Sequence, residues 1–122
     1  MKLITTLSLI CISLIGYSQV PKIPLFEHFT NASCGPCATQ NPGMDALLDA
    51  QTVEYTRISY QVNWPGADVM NAEYPSGPSN RVSAYGVTGA PSLILNGLGT
   101  IMQPSDLNQV MFDNAVLLTS PL

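Results

Sequence analysis

Two thiols stand three positions apart in Ser33-Cys34-Gly35-Pro36-Cys37, where an extended apolar pattern gives way to a helical one. Cys-x-x-Cys at a strand-to-helix junction is the arrangement for thiol–disulfide exchange. A helix that begins at Cys34 aims free backbone N–H groups and the positive end of its dipole at that sulfur. Both favour the thiolate, which is the nucleophile. Cys37, one turn further on, can attack a mixed disulfide formed at Cys34 and release the partner. Pro36 suits the first turn, where a missing N–H costs nothing. Two other readings of the pair stay open: a static disulfide or inert thiol pair, and a metal site. For the latter, two thiolates and His28 give three ligands that zinc or copper could use, with no fourth in view.

His28 is the only histidine, and Glu27 precedes it. On an alternating strand the two point to opposite faces, so only one can lie under the cysteines. His28 reads either as a proton acceptor for Cys37, since its ordinary pKa is near neutrality, or as a core histidine satisfied by a neighbour. Glu27 reads as a buried-edge or solvated carboxylate, and Arg81 as a solvated helix residue.

The elements that must position these groups follow from composition and pattern. The chain has 122 residues, four Lys or Arg against eight Asp or Glu, and three cysteines. Residues 1–18 match a cleaved signal peptide: Lys2, an apolar run from Leu3 to Ile15 too short to span a bilayer, and Gly16-Tyr17-Ser18. Residues 19–122 then form one domain, exported, with Cys34 and Cys37 its only cysteines. There is no basic stripe, which argues against a nucleic-acid partner.

Val20 to Phe29 opens the domain, and Ile23, Leu25 and Phe29 alternating with Pro24 and Phe26 make both faces apolar, as in a buried central strand. Asn31-Ala32-Ser33 also matches a glycosylation sequon, a motif too short to carry weight. A helix is expected from about Cys34 to Ala50, with Met44, Leu47 and Leu48 on its apolar stripe and a kink or break at Pro42-Gly43. Thr52 to Trp64 reads as the second strand. Gly66 to Asn80 reads as a long loop with at most one helical turn near Ala67 to Ala72. Ser79 then caps a short helix through Tyr85, ended by Gly86. Ser92 to Leu95 is a third strand, Asn96-Gly97 a hairpin turn, and Thr100 to Met102 a fourth, returning strand. Pro104-Ser105-Asp106 starts a last helix with Leu107, Val110, Met111, Ala115 and Leu118 toward the core. Trp64, Tyr60 and Tyr74 read as core or loop anchors, with a substrate-facing aromatic as the alternative. The order implies an α/β fold of about four strands in a mixed sheet, with helices on both faces.

Several separated residues agree with one family. The chain resembles the thioredoxin superfamily over most of residues 19–122. Cys34-Gly35-Pro36-Cys37 is the tetrapeptide of thioredoxins proper, Pro42 stands at their helix-kinking proline, and Tyr85-Gly86-Val87-Thr88-Gly89-Ala90-Pro91-Ser92 looks like the segment ending in their cis-proline. More narrowly, Leu25-Phe26-Glu27-His28-Phe29-Thr30-Asn31 and Asn63-Trp64-Pro65-Gly66 look like secreted or outer-membrane-associated thioredoxin-like proteins of gram-negative bacteria. Members of that group are often longer, which leaves open that the chain is the front of a longer protein. The resemblance implies a minimal thioredoxin-like fold and a cis Ala90–Pro91 bond. It further implies substrate docking at Ala90 and Pro91, and exchange with protein thiols or disulfides at Cys34 and Cys37. A separate redox partner is implied, but no cofactor beyond the disulfide and no membrane span in the mature chain. His28 and Ser33 depart from the family, which has an aspartate and a tryptophan there. The Gly-Pro dipeptide resembles strongly reducing thioredoxins, with potentials near roughly −270 mV rather than about −120 mV. The rival function is a secreted or cell-surface binding module that kept the fold without turnover.

Overall fold

The computed structural model describes residues 23–117; the expected leader at residues 1–18 and the expected core residue Leu118 lie outside them. Strand β1 (Leu25–Thr30) is the centre of a three-stranded sheet. β2 (Thr56–Gln61) runs parallel to it and β3 (Ser92–Leu95) antiparallel, so the strand order is β2-β1-β3. Helix α1 (Gly35–Asp49) joins β1 to β2, as a parallel crossover requires. Between β2 and β3 lie α2 (Val69–Glu73) and α3 (Ser76–Tyr85), and a 3₁₀ turn (Pro104–Asp106) precedes the last helix, α4 (Gln109–Leu117).

The alternation of β1 divides the core in two. Phe26 faces Met44 and Leu48 of α1 and Phe112 and Ala115 of α4, together with Leu93 and Leu107. Its ring stacks on Phe112 at 5.6 Å and meets Tyr55 edge-on at 5.9 Å. Phe29 faces the other way, into Val62, Val87 and Ile94, with Tyr60, Trp64, Val82 and Tyr85 packed around them. Helices therefore cover both faces, each burying apolar area worth about 1.5–3 kcal/mol per large side chain.

Several expectations need correction. The sheet has three strands where about four were expected. The Asn96-Gly97 turn does form: both residues have positive φ (52° and 69°), and Leu98 N–H donates to Leu95 C=O at 3.0 Å. A two-residue hairpin would then pair Leu93 with Thr100. Instead Gly99 turns at φ +74° and Leu93 exchanges both hydrogen bonds with Met102 (2.8 and 3.0 Å). Extension stops there because Gln103 N–H is taken by Asp106 Oδ2 and Pro104 has no N–H. The fourth strand is thus a single bridge at Met102.

β2 is shorter than the expected Thr52 to Trp64 because β1 offers only six residues for pairing, from Leu25↔Thr56 to Thr30↔Gln61. The loop from Gly66 to Asn80 is not irregular: it holds α2 and the start of α3. That helix begins at Ser76, before the Ser79 cap expected from sequence, and ends at Gly86 with φ 68° as expected. Helix α1 runs from Gly35 to Asp49 as one element through Pro42, so of the expected kink or break the break does not occur. Val110 is not a core residue (67% exposed); Phe112 takes that place. No helix among the described residues is long and apolar enough to cross a membrane.

Candidate functional site

Cys34 is the N-cap of α1, and Gly35-Pro36 form its first turn. The residue keeps an extended backbone (φ −94°, ψ 109°), which folds its side chain back over the helix start. Its sulfur accepts from Cys37 N–H at 3.1 Å and is bonded to the sulfur of Cys37, with 5.2 Å between the two Cα atoms. Once reduced, the same N–H can stabilise a Cys34 thiolate. Both cysteines are tucked in, at 3% and 2% exposure.

The loop before β3 brings in the other expected residues. The Ala90–Pro91 bond is cis, Pro91 is buried, and Ala90 C=O lies 3.5 Å from Cys34 Sγ. The chain separation is 56 residues, so tertiary structure alone makes this contact.

The segment between β1 and Cys34 is fastened to the loop after β2. Asn31, buried, donates through Nδ2 to Val62 C=O (2.7 Å) and Gly66 C=O (2.9 Å), while its Oδ1 accepts from Ser33 N–H (2.7 Å). Engaged in this way, its amide nitrogen is closed to glycosylation in the folded chain. Ser33 O–H donates to Ala67 C=O. Gly66 is required here: a Cβ on it would come within 2.9 Å of Ser33 Cβ. Asp68 completes the attachment. Its Oδ1 caps α2 by accepting from Met70 and Asn71 N–H (both 2.9 Å), and its Oδ2 accepts from Ala32 N–H (2.7 Å). Burial pushes the Asp68 carboxyl up, but these backbone donors win and hold it below the usual range. Sequence reasoning missed Asp68, although Asp three residues before Asn71 is a cap signal.

His28 lies on the α1 face and has no hydrogen bond to either cysteine. Its Nε2–H donates to Asn41 Oδ1 (3.1 Å), since an amide oxygen only accepts, and Nδ1 is 3.5 Å from Ser59 Oγ. Asn41 Nδ2 in turn donates to Thr30 Oγ1 (3.0 Å). Thr30, Asn41, Cys34 and Cys37 share the lining of an open groove of about 250 Å³, which also touches Gln61 and Met70. Burial lowers the pKa of His28 despite the bond to Asn41, so the imidazole is neutral at neutral pH. Among the described residues no group of three His, Cys, Asp or Glu side chains can hold a metal ion.

Glu27, on the opposite face, is fully buried (0% exposed), and Arg81 is not merely solvated. Arg81 Nε donates to Glu27 Oε1 (2.6 Å), Tyr60 O–H donates to the same oxygen (3.2 Å), and Tyr85 O–H donates to Oε2. Arg81 Nη2 also donates to Tyr85 Oη (2.7 Å). Desolvation raises the Glu27 pKa, but these donors outweigh it and the carboxyl stays ionised; the Tyr85 phenol is pushed up to about 12, first by burial and then by Glu27. Only the i, i+4 spacing of Arg81 and Tyr85 was visible in the sequence; their shared partner was not.

A second groove, of about 430 Å³, adjoins the Cys34 side and is walled by Pro36, Trp64, Pro65, Thr88, Gly89 and Ala90. The Trp64–Pro65 bond is also cis, which the sequence did not announce. The chain matches no protein-family model and no curated protein.

Proposed function

We propose that the chain is an exported thiol–disulfide oxidoreductase of the thioredoxin-like class, acting on protein disulfides or thiols. The observation that carries this reading is the placement of Cys34 Sγ between Cys37 N–H and Ala90 C=O at a helix N-cap. In the reducing direction, the Cys34 thiolate attacks one sulfur of a substrate disulfide. That bond breaks, a mixed disulfide forms at Cys34, and the leaving thiolate takes a proton from water. Cys37, as thiolate, then attacks Cys34 Sγ and expels the second substrate sulfur as a thiolate, which also takes a proton from water. Two electrons reach the substrate and the Cys34–Cys37 disulfide remains, to be reduced by a separate dithiol partner. Ala90 and Pro91 dock the substrate backbone. His28, hydrogen-bonded to Asn41 on the wall of the cysteine groove, is a positioning residue in this reading, with proton transfer to Cys37 as the alternative role.

The test is insulin reduction by the wild type, Cys34→Ser and Cys37→Ser. Turnover lost in Cys34→Ser, with mixed disulfide trapped in Cys37→Ser, supports the proposal; equal, negligible rates in all three would sink it. The competing reading, a binding module, draws on the exposed apolar side chains Val69, Met70 and Tyr74 of α2 and its C-cap, beside the cysteine groove. The reduction potential of the Cys34–Cys37 couple separates a reductase, near roughly −270 mV, from an oxidase, nearer about −120 mV.

A further inference from the structure

The groove beside Pro36 reaches the cysteine pair through Ala90. Its lining is mostly apolar: Pro36, Ala90, and the Trp64-Pro65 corner contributed by the loop after β2. Trp64 is held in place because its ring packs on the Phe29, Val62, Val87 and Ile94 cluster. No charged side chain lines the groove. The cations among the described residues, Arg57 and Arg81, are each committed elsewhere, to Asp45 and Glu27. The chain is anionic overall, at −4. An acidic segment therefore meets no compensating charge here, whereas an apolar one finds a matched surface.

Ala90 links this groove to the reacting atoms, since its carbonyl is 3.5 Å from Cys34 Sγ and the residue also lines the wall. A polypeptide bonded to Cys34 through its own cysteine must pass Ala90. Consecutive residues lie about 3.8 Å apart, so the side chain next to that cysteine reaches the groove. We propose that Trp64 and Pro65 are specificity-determining residues, selecting substrate segments that carry an apolar side chain adjacent to the reacting cysteine. This rests on the exchange reading above.

Three disulfide-linked peptides, identical except for Leu, Ser or Asp next to the reacting cysteine, test it with the full chain in its dithiol form. The expected order of kcat/KM is Leu, then Ser, then Asp, with Leu over Ser by about tenfold, as for a side chain filling an apolar subsite. In Trp64→Ala the Leu-to-Ser ratio falls toward one, and in Trp64→Phe it returns. Equal kcat/KM for Leu and Ser in the wild type overturns the proposal. So does a ratio that Trp64→Ala leaves unchanged while both rates fall, the mark of a structural role. A chain that reduces none of the peptides sinks the exchange reading, and a binding measurement then decides the groove by itself. Trp64 is the single tryptophan, so its emission reports titration with the same sequences bearing Ser in place of the cysteine. A saturable change with the Leu peptide and none with the Ser peptide upholds the groove; matching titrations overturn it.

Discussion

Glu27 and His28 are neighbours on β1, face opposite sides of the sheet, and answer burial in opposite ways. Glu27 keeps its charge because a guanidinium and two phenols donate to it. His28 gives its charge up because one amide oxygen and a more distant hydroxyl do not repay desolvation. The face under α3 is thus held by an ionic network beside an aromatic cluster, and the face under α1 by apolar stacking around a neutral imidazole. A strand with titratable groups on both sides stays folded only if each face supplies its own form of compensation.

The comparison breaks most visibly at Phe26, the centre of the apolar face. Phe26→Ala is expected to cost about 3–5 kcal/mol, read as a drop in the urea midpoint. A loss under about 1 kcal/mol would show that this face is not held by the Phe26–Phe112 stack.

On the other face, Arg81→Ala leaves the Glu27 carboxylate buried without its cation. Breaking a buried pair costs about 3–5 kcal/mol, and the 39% exposure of the Arg81 side chain places the expected loss below that range through solvent screening. Adding Glu27→Gln to Arg81→Ala should recover part of it, because an uncharged amide costs less to bury. A double variant no more stable than Arg81→Ala would mean the network acts by packing alone.

Asp68→Ala tests the attachment shared by the cysteine loop and α2. An N-cap removal costs about 0.5–2 kcal/mol, and the orphaned Ala32 N–H puts the expectation in the upper part of that range. Amide exchange at Ala32 and Met70 should quicken together; quickening at Met70 alone would separate the two functions of the side chain.

The smallest effects are in pH dependence. Both Glu27 and His28 have pKa values below their ordinary 4.5 and 6.5, so in acid the unfolded chain binds the extra protons. Stability is therefore complete above those values and lost as the pH falls through the folded ones, first at His28 and then at Glu27. Tyr85 runs the other way: its stabilisation holds below pH 10 and is lost as the pH rises toward about 12. Chemical unfolding across pH should show His28→Gln removing the limb that begins near 6.5, with the lower limb kept. Retention of the upper limb in that variant would assign it to another group.

Much of this was legible in the chain. The α1 boundaries, the β3 limits, the Gly86 stop and the buried central strand were all read correctly, since each depends on residues within a few positions of one another. The fourth strand was overread because the turn signal at Asn96-Gly97 is local, while pairing register was decided by Gly99 and by the cap that claims Gln103. Val110 was placed in the core, and Phe112 left out, because the short turn before α4 resets the helical phase. The helices inside the Gly66–Asn80 segment were hidden by prolines that stand at their edges or within α3, as Pro75 and Pro78 do.

What the sequence determined by itself is the local chemistry of the junction. Two cysteines three apart, a proline in the first helical turn and an N-capping sulfur follow from bonds between near neighbours. Only tertiary structure decided what that sulfur meets. Ala90 comes from 56 residues away, Arg81 finds Glu27 across 54, and Trp64 and Pro65 reach the Pro36 side through the Asn31 and Asp68 hydrogen bonds. Such contacts depend on strand register and helix placement, which are set by the packing of both core clusters at once and are not encoded in any short stretch of chain.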